Sequence, residues 1–308
     1  MDAGMLAELL AEIERRDLAL HSLLVIRNGA IVSETYYGSQ RPDTRHDQYS
    51  ITKSIASTLV GIAIDRGLIK DVDQSVAELL PQYPPRVPVD PYQQMSLEHL
   101  LTMTSGLGWS ETDAGFGALY QSDDWPGFML ALPVVAPPGT QFSYCSGCSH
   151  LLTAIVENAA EEGVLEFARQ NLFEPLGIRD WSWERDADGV PIGGWGLHLT
   201  PRDMAKLGYL FLRQGEWDGR QIVSPEWVAA ATKARTTTDS VRGYGYQWWI
   251  NPDEKGFAAL GRNGQTVYVR PEADLIVVTT AGGVAHDEIY QLIESYVLPA
   301  TGRYNNTP

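Results

Sequence analysis

The chain has 308 residues, of which 44% are hydrophobic and 20% charged, and its formal net charge at pH 7 is −16. This composition is typical of a globular protein with one large or two intergrown domains, and it excludes a largely disordered chain. The negative charge argues against nucleic acid and against an anionic membrane as partners, because both are bound through basic surfaces.

The first 36 residues predict a helix followed by a hairpin. Residues 3–16 have an amphipathic pattern, without the basic segment and apolar core of a signal peptide. Strands are predicted at residues 22–26 and 31–36, because Asn28-Gly29 between alternating apolar runs is a strong hairpin signal. No apolar run in the chain approaches the ~18 residues of a membrane span, so none is predicted.

A strongly apolar helix is predicted from Ser50 to Arg66, with Lys53 one turn after Ser50 on the same stripe. The free N–H groups and the dipole at a helix start favour a developing alkoxide at Ser50. A lysine can take the serine proton only if burial lowers its pKa from about 10.4. The alternative is that Ser50 only caps the helix and that Lys53 is solvated.

The remaining elements place strands near the end of the chain and helices in its middle. Helices are predicted at 95–104, 202–214, 225–233 and 286–297, and three strand-like runs at 246–250, at 257–260 with 265–269, and at 275–280. Short turns between these strands imply antiparallel pairing. We therefore predict an α/β protein, an α/β/α sandwich with an antiparallel five-stranded sheet built from residues 1–70 and 201–308. Residues 71–200 form a helical insertion without strong strands, and the active site lies between the two parts.

The only two cysteines, Cys145 and Cys148, are spaced as C-x-x-C. The pair could be redox-active or half of a metal site, but no second pair or ligand cluster accompanies it. We expect no metal, and the low cysteine content fits a reduced, cytoplasmic compartment.

Four sequence stretches carry a likeness to a known family: YSITKS (49–54), LEHLLTMTSGL (97–107), FSYCSGCSHLL (142–152) and GGWGLHLTPRDMAKLGYLFL (193–212). A fifth, GRNGQTVYVRPE (261–272), is similar to the family's strand before the C-terminal helix. The chain resembles the serine β-lactamase and penicillin-binding-protein superfamily. The likeness is to its class C-like branch, which includes family VIII carboxylesterases and 6-aminohexanoate-dimer hydrolases. It implies the β-lactamase/transpeptidase-like fold over roughly the whole chain.

The resemblance also assigns catalytic roles. It makes Ser50 the nucleophile, Lys53 its proton partner and Tyr144 a second base or acid. Tyr144 is expected to touch both Ser50 and Lys53, and the lysine ammonium is expected to draw the tyrosine toward phenolate. Ser146 stands where the family usually has Asn, which weakens a β-lactamase assignment.

Substrate-binding residues are expected at two further places. By the resemblance, Arg262-Asn263-Gly264 corresponds to the K-T-G element of β-lactamases. The resemblance also implies an oxyanion hole formed by the N–H groups of Gln265 and Ser50. Gly264 would let a substrate approach the strand edge, and Arg262 would bind a carboxylate or lie free on the surface. Tyr120 and Trp109, in the loop after the TSG turn, are candidates to line the pocket, with core packing as the alternative.

We thus expect a serine hydrolase that forms an acyl-enzyme with small esters or amides, without cofactor or metal, and with weak β-lactamase activity at most. The alternative is a penicillin-binding or sensor-like domain that does not turn over. No histidine and aspartate are placed for a Ser-His-Asp triad. The sequence leaves the oligomeric state open.

Overall fold

The computed structural model describes residues 1–83, 92–238, 242–253 and 255–302. Its strands are β1 (Leu20–Arg27), β2 (Ala30–Tyr36), β3 (His46–Asp47), β4 (Ser182–Trp183), β5 (Leu197–Leu199), β6 (Glu216–Trp217), β7 (Arg220–Gln221), β8 (Thr236–Thr237), β9 (Gly243–Tyr244), β10 (Trp249–Ile250), β11 (Phe257–Gly261), β12 (Gln265–Arg270) and β13 (Leu275–Ala281). Its α-helices are α1 (Ala3–Arg15), α2 (Ile51–Asp65), α3 (Val76–Leu79), α4 (Leu97–Leu101), α5 (Asp113–Tyr120), α6 (Trp125–Leu130), α7 (Ser146–Ala159), α8 (Val164–Ala168), α9 (Pro201–Leu212), α10 (Pro225–Ala231), α11 (His286–Leu292) and α12 (Leu298–Ala300).

The central antiparallel sheet joins the two ends of the chain. Its order within the described residues is β2-β1-β13-β12-β11-β10-β9-β8. The predicted hairpin is confirmed: Asn28 and Gly29 both adopt positive φ, 51° and 76°, as a two-residue hairpin turn requires. Strand β1 then pairs with β13 rather than with a strand near it in sequence.

The α/β class is confirmed, but the predicted count of five strands is too low. The described sheet has eight strands, because the run at 257–269 forms two strands, β11 and β12, and because β8 and β9 extend the sheet beyond β10. Strands β8 and β9 are each two residues long, too short to leave a periodic pattern in the sequence. The strand predicted at 246–250 is reduced to Trp249–Ile250, since Gln247 adopts a left-handed conformation with φ 63°.

Helices cover both faces of the sheet. Leu23 and Val25 of β1 pack in the core that contains α1 and α11, whereas Leu24 and Ile26 face the core that contains α2 and α9. This alternation follows from the two-residue period of a strand. Helix α9 approaches closely at Gly208, where a Cβ would lie 2.9 Å from side chains of both β12 and β13.

Helix α2 lies at the centre of the molecule, and every residue from Ile51 to Ala63 is buried. Its extent agrees with the predicted helix. Polar side chains on it are satisfied inside the core, since Ser54 donates to the Gln247 carbonyl at 2.7 Å and Ser57 to the Tyr246 carbonyl at 2.8 Å. Buried hydroxyls with such partners fix the rotation of the helix.

The regular elements of residues 71–200 are mainly helices where described, and the strands there, β4 and β5, are only two and three residues long. Strand β5 pairs with both β3 and β4 in a small sheet, which holds the chain just before Ser50. Helix α4 is shorter than predicted, because Met103 turns left-handed with φ 61°. The division of the chain at residues 70 and 200 stays a prediction.

Candidate active site

Ser50 immediately precedes α2 and is half-buried. Tyr49 before it has a left-handed backbone with φ 45°, which is costly for a bulky residue, and its amide donates to Asp47 Oδ1 at 2.8 Å. The Ser50 hydroxyl makes no capping bond to the helix. The structure therefore excludes the alternative in which this serine only caps α2.

Lys53 is buried, with 1% of its surface exposed, which excludes the solvated-lysine alternative. Its Nζ donates to Ser50 Oγ at 3.1 Å, to Ser146 Oγ at 2.9 Å and to the Gly194 carbonyl at 2.7 Å. Burial lowers the pKa of Lys53 to about 8, against a smaller opposing effect of the Glu111 carboxylate. A substantial fraction of the amine is therefore neutral near pH 8, as a general base requires.

Tyr144 reaches the cleft from the loop before α7. Its ring stacks on Trp249 with centroids 5.9 Å apart, and the Lys53 Nζ lies 5.0 Å from the ring centroid. Burial raises the pKa of Tyr144 well above its ordinary value, although hydrogen bonding with the Ser50 side chain acts in the opposite direction. The expectation of a phenolate is wrong, because the lysine faces the ring and burial disfavours the charge. The raised pKa favours the protonated phenol of Tyr144.

Ser146, the first residue of α7, connects Lys53 to an acid that the sequence analysis missed. Its hydroxyl accepts from Lys53 and donates to Glu111 Oε2 at 3.1 Å, while its amide donates to Glu111 Oε1. Trp109 Nε1 also donates to Glu111 Oε1, at 2.7 Å. Glu111 belongs to no periodic pattern or motif in the sequence. The only signal for it was its position between Trp109 and Tyr120, the two aromatic candidates for the pocket.

These groups lie in a cleft of about 730 Å³. Its lining residues are Asp47, Tyr49, Ser50, Glu111, Asp113, Phe116, Tyr120, Tyr144, Ser146, Gly194, Trp195, Arg242, Trp249, Leu260, Gly261, Arg262 and His286. Of the two aromatic candidates, Tyr120 lines the cleft and Trp109 does not. Trp109 instead packs edge-on against Phe116 and holds Glu111.

The expected oxyanion site at Gln265 does not agree with the structure, because neither Gly264 nor Gln265 lines the cleft. The Gln265 side chain is buried and donates to the Ala281 carbonyl at 2.7 Å. Asn263 also points elsewhere, and its Nδ2 donates to the Tyr49 hydroxyl at 3.2 Å.

The end of β11 occupies the position beside Ser50 instead. Leu260, Gly261 and Arg262 line the cleft. Gly261 is required there, since a Cβ would lie 2.3 Å from the Gln48 carbonyl oxygen. Within the described residues the Ser50 amide donates to no protein acceptor. This amide and the backbone at Gly261–Arg262 therefore border the same part of the cleft.

Cys145 and Cys148 are joined by a disulfide across the first turn of α7, with their Cα atoms 5.2 Å apart. Neither thiolate is available as a metal ligand, and the described residues contain no cluster of three or more His, Cys, Asp or Glu side chains that could hold a metal ion. The bond also removes the argument for a reduced compartment that was drawn from these two cysteines.

His150, on α7, forms a buried pair with Asp186 at a distance of 2.9 Å. Neither residue lines the cleft. Although the pair has the chemistry of a histidine–carboxylate couple, it is not placed to activate Ser50. None of the described helices combines the length and apolar character needed to span a bilayer.

Comparison with known proteins identifies the family. Residues 7–289 match the family described as Beta-lactamase. The chain belongs to the beta-lactamase family. One curated relative is the 6-aminohexanoate-dimer hydrolase of Paenarthrobacter ureafaciens. It is 27% identical over 301 residues, which cover 89% of this chain and 76% of that protein. Esterase EstB of Burkholderia gladioli is 29% identical over 178 residues, 53% of this chain and 45% of the esterase.

Solved structures show the same beta-lactamase-like fold. A crystal structure of a family VIII carboxylesterase superposes with a TM-score of 0.79 at 18% identity, covering 96% of each chain. At this sequence identity the structural similarity shows a shared fold but does not identify the substrate. The fold class and the resemblance expected from the sequence are confirmed.

Proposed function

We propose that this beta-lactamase-family chain is a serine hydrolase that cleaves small esters or linear amides through an acyl-enzyme on Ser50. The observation that carries the proposal is the buried Lys53 amine, 3.1 Å from Ser50 Oγ at the wall of an open cleft. A neutral amine at hydrogen-bond distance from a serine hydroxyl is the arrangement that activates such a nucleophile.

In this mechanism neutral Lys53 takes the Ser50 proton while Oγ attacks the substrate carbonyl carbon. The carbonyl π electrons move to oxygen, and the resulting oxyanion lies between the Ser50 amide and the end of β11 at Gly261–Arg262. Collapse of this intermediate breaks the bond to the leaving group. The protonated phenol of Tyr144 supplies a proton to that group and regains one from the Lys53 ammonium.

Water then completes the reaction. Lys53, neutral again, takes a proton from a water molecule that attacks the acyl carbonyl, and Ser50 leaves with a proton returned from the lysine. The aromatic wall formed by Phe116, Tyr120 and Trp195 offers an apolar surface for the acyl or leaving group. The exposed guanidinium of Arg262 at the rim suits a substrate carboxylate.

A substrate panel tests the proposal: short-chain p-nitrophenyl esters, nitrocefin, D-amino-acid amides and a linear 6-aminohexanoate dimer. The amide is included because a relative is named for its hydrolysis. Steady turnover of an ester or linear amide supports the proposal. A single burst of acylation without turnover favours a sensor-like domain, and absence of both labelling and turnover contradicts the assignment.

We expect the pH dependence of ester hydrolysis to report on Lys53. Because the neutral amine is the base, kcat/KM for p-nitrophenyl butyrate should rise with pH through an apparent pKa of about 8, the value to which burial lowers Lys53. Rates measured between about pH 6 and pH 10 test this, after correction for spontaneous hydrolysis. Burial lowers the pKa of His286, another cleft residue, below its ordinary 6.5. If kcat/KM instead rises with pH through an apparent pKa below 6.5, the result would contradict the role of Lys53 and point to His286.

We also expect β-lactams to be poor substrates. Ser146 stands in place of the family's Asn, its hydroxyl is already engaged by Lys53 and Glu111, and no K-T-G sequence borders the cleft. The kcat/KM for nitrocefin should therefore be below that for p-nitrophenyl butyrate. The reverse order would show that this cleft holds a β-lactam by other groups.

A further inference from the structure

Glu111 is an acid that hydrogen bonds connect to the Ser50–Lys53 pair through Ser146. Its carboxylate receives hydrogen bonds from Trp109 Nε1 at 2.7 Å, from the Ser146 amide and from Ser146 Oγ at 3.1 Å. Ser146 in turn receives a hydrogen bond from Lys53 Nζ at 2.9 Å. Two hydrogen bonds therefore link the carboxylate to the lysine.

The direction of these bonds is fixed by chemistry. A carboxylate has no proton to donate, so the Ser146 hydroxyl must give its only proton to Glu111. Toward Lys53 the same oxygen can then act only as an acceptor. The Gly194 carbonyl, 2.7 Å from Nζ, is also an acceptor only.

A neutral lysine has two N–H bonds and one lone pair. If Ser146 and Gly194 each accept one N–H, the remaining position of the nitrogen faces Ser50 Oγ at 3.1 Å. The lone pair is then directed at the serine proton. Without Glu111, the Ser146 hydroxyl could rotate and donate to the lysine, and the lone pair would turn away from Ser50.

We propose that Glu111 is a positioning residue that acts through Ser146 to aim the Lys53 lone pair at Ser50. This inference rests on the proposed function, since it assigns a role to the same base. Trp109 supports it by donating to Glu111 Oε1, the same oxygen that receives the Ser146 amide bond. Glu111 itself is exposed at the cleft, so its effect is carried by direct hydrogen bonds more than by unscreened charge.

The carboxylate also opposes the effect of burial, since its negative charge raises the pKa of Lys53. Other groups near the amine are the protonated Tyr144, whose ring it faces, and the Ser50 hydroxyl. The remaining charged or titratable residues of the cleft are Asp47, Tyr49, Asp113, Tyr120, Arg242, Arg262 and His286. Among the described charged residues of the cleft, Glu111 is the one whose charge has a resolved effect on the Lys53 pKa.

The first test is the pH profile of Glu111→Gln with p-nitrophenyl butyrate. Loss of the carboxylate should move the limb assigned to Lys53 to lower pH and lower the plateau of kcat/KM roughly ten- to hundred-fold. Asp113→Asn is the matched control, since Asp113 lies in the same wall without a hydrogen bond to Ser146 or Lys53 among the described residues. Its limb should stay near that of the native enzyme. A Glu111→Gln plateau within a few-fold of the native enzyme would overturn the inference, because the lone pair would then be aimed without the carboxylate.

The second test is a double-mutant cycle, which separates positioning from simple damage. Once Ser146→Ala has removed the connecting hydroxyl, adding Glu111→Gln should change kcat/KM less than about three-fold. Multiplicative losses would show that Glu111 does not act through Ser146. Melting temperature and fluorophosphonate labelling of Ser50 are measured in each variant. If the native enzyme labels at Ser50 and turns over while these tests fail, the hydrolase proposal stands and only the role of Glu111 is lost.

Discussion

Replacing Ser50 by alanine is expected to abolish covalent labelling by a fluorophosphonate and to lower ester turnover by roughly 10³- to 10⁶-fold. The reason is that Ser50 Oγ is the hydroxyl that Lys53 Nζ contacts at the cleft wall. The measurement is stoichiometric labelling followed by intact-mass spectrometry, with kcat for p-nitrophenyl butyrate in parallel. The hydroxyl makes no capping bond to α2, so the melting temperature should change little.

Ser54→Ala is the matched control for this experiment. Ser54 lies one turn further along the same helix, is buried, and donates to the Gln247 carbonyl rather than entering the cleft. Its loss should cost about 1 kcal/mol of folding free energy and leave labelling intact. If Ser50→Ala still labels stoichiometrically, another residue is the nucleophile. If only Ser54→Ala loses labelling, the motif has been assigned to the wrong serine.

Tyr144→Phe is expected to lower kcat for a linear amide roughly 10²- to 10⁴-fold, with a smaller loss for a p-nitrophenyl ester. An amine leaving group needs the proton that the Tyr144 phenol supplies, whereas nitrophenolate leaves without one. The ring can keep its stack on Trp249 and its contact with the Lys53 amine. Both substrates are measured on the same preparation, and thermal unfolding tests whether the fold is kept.

Tyr244→Phe is the control for the tyrosine experiment. Tyr244 is also buried, and its ring lies 6.4 Å from that of Tyr144, but it does not line the cleft. Its removal should leave the ratio of amide to ester rates unchanged. Equal losses on the two substrates in Tyr144→Phe would exclude the phenol as the leaving-group acid. Activity within a few-fold of the native enzyme would exclude it from the mechanism.

The sequence predicted the parts of the site that depend on local periodicity. Ser50 and Lys53 are three residues apart on an apolar helix, and this spacing alone brings them to one face. The hairpin at Asn28-Gly29 and helix α2 were predictable for the same reason. Tyr144 is distant from Ser50 in sequence, and only the likeness to a family connected the two residues.

Other features depended on tertiary structure that no local pattern records. The prediction of a phenolate was wrong because the sequence does not show that Lys53 packs over the ring of Tyr144 or that Tyr144 is buried. Gly264 and Gln265 were expected beside the cleft from the resemblance to a family, but the residues that line it there are Leu260, Gly261 and Arg262. Glu111 is an isolated acid in a loop, and its link to Ser146 exists only in the folded chain.

The pairing of β1 with β13 has a consequence for how the protein folds. Val25 lies opposite Val277, so the central ladder joins residues from the two ends of the chain, and a high contact order predicts slow folding. During synthesis the hairpin of β1 and β2 can form early, but one edge of β1 stays unpaired until residues 275–281 have left the ribosome. An unpaired apolar edge invites association with other chains. The yield of native protein should therefore depend on the time between the synthesis of β1 and its pairing with β13.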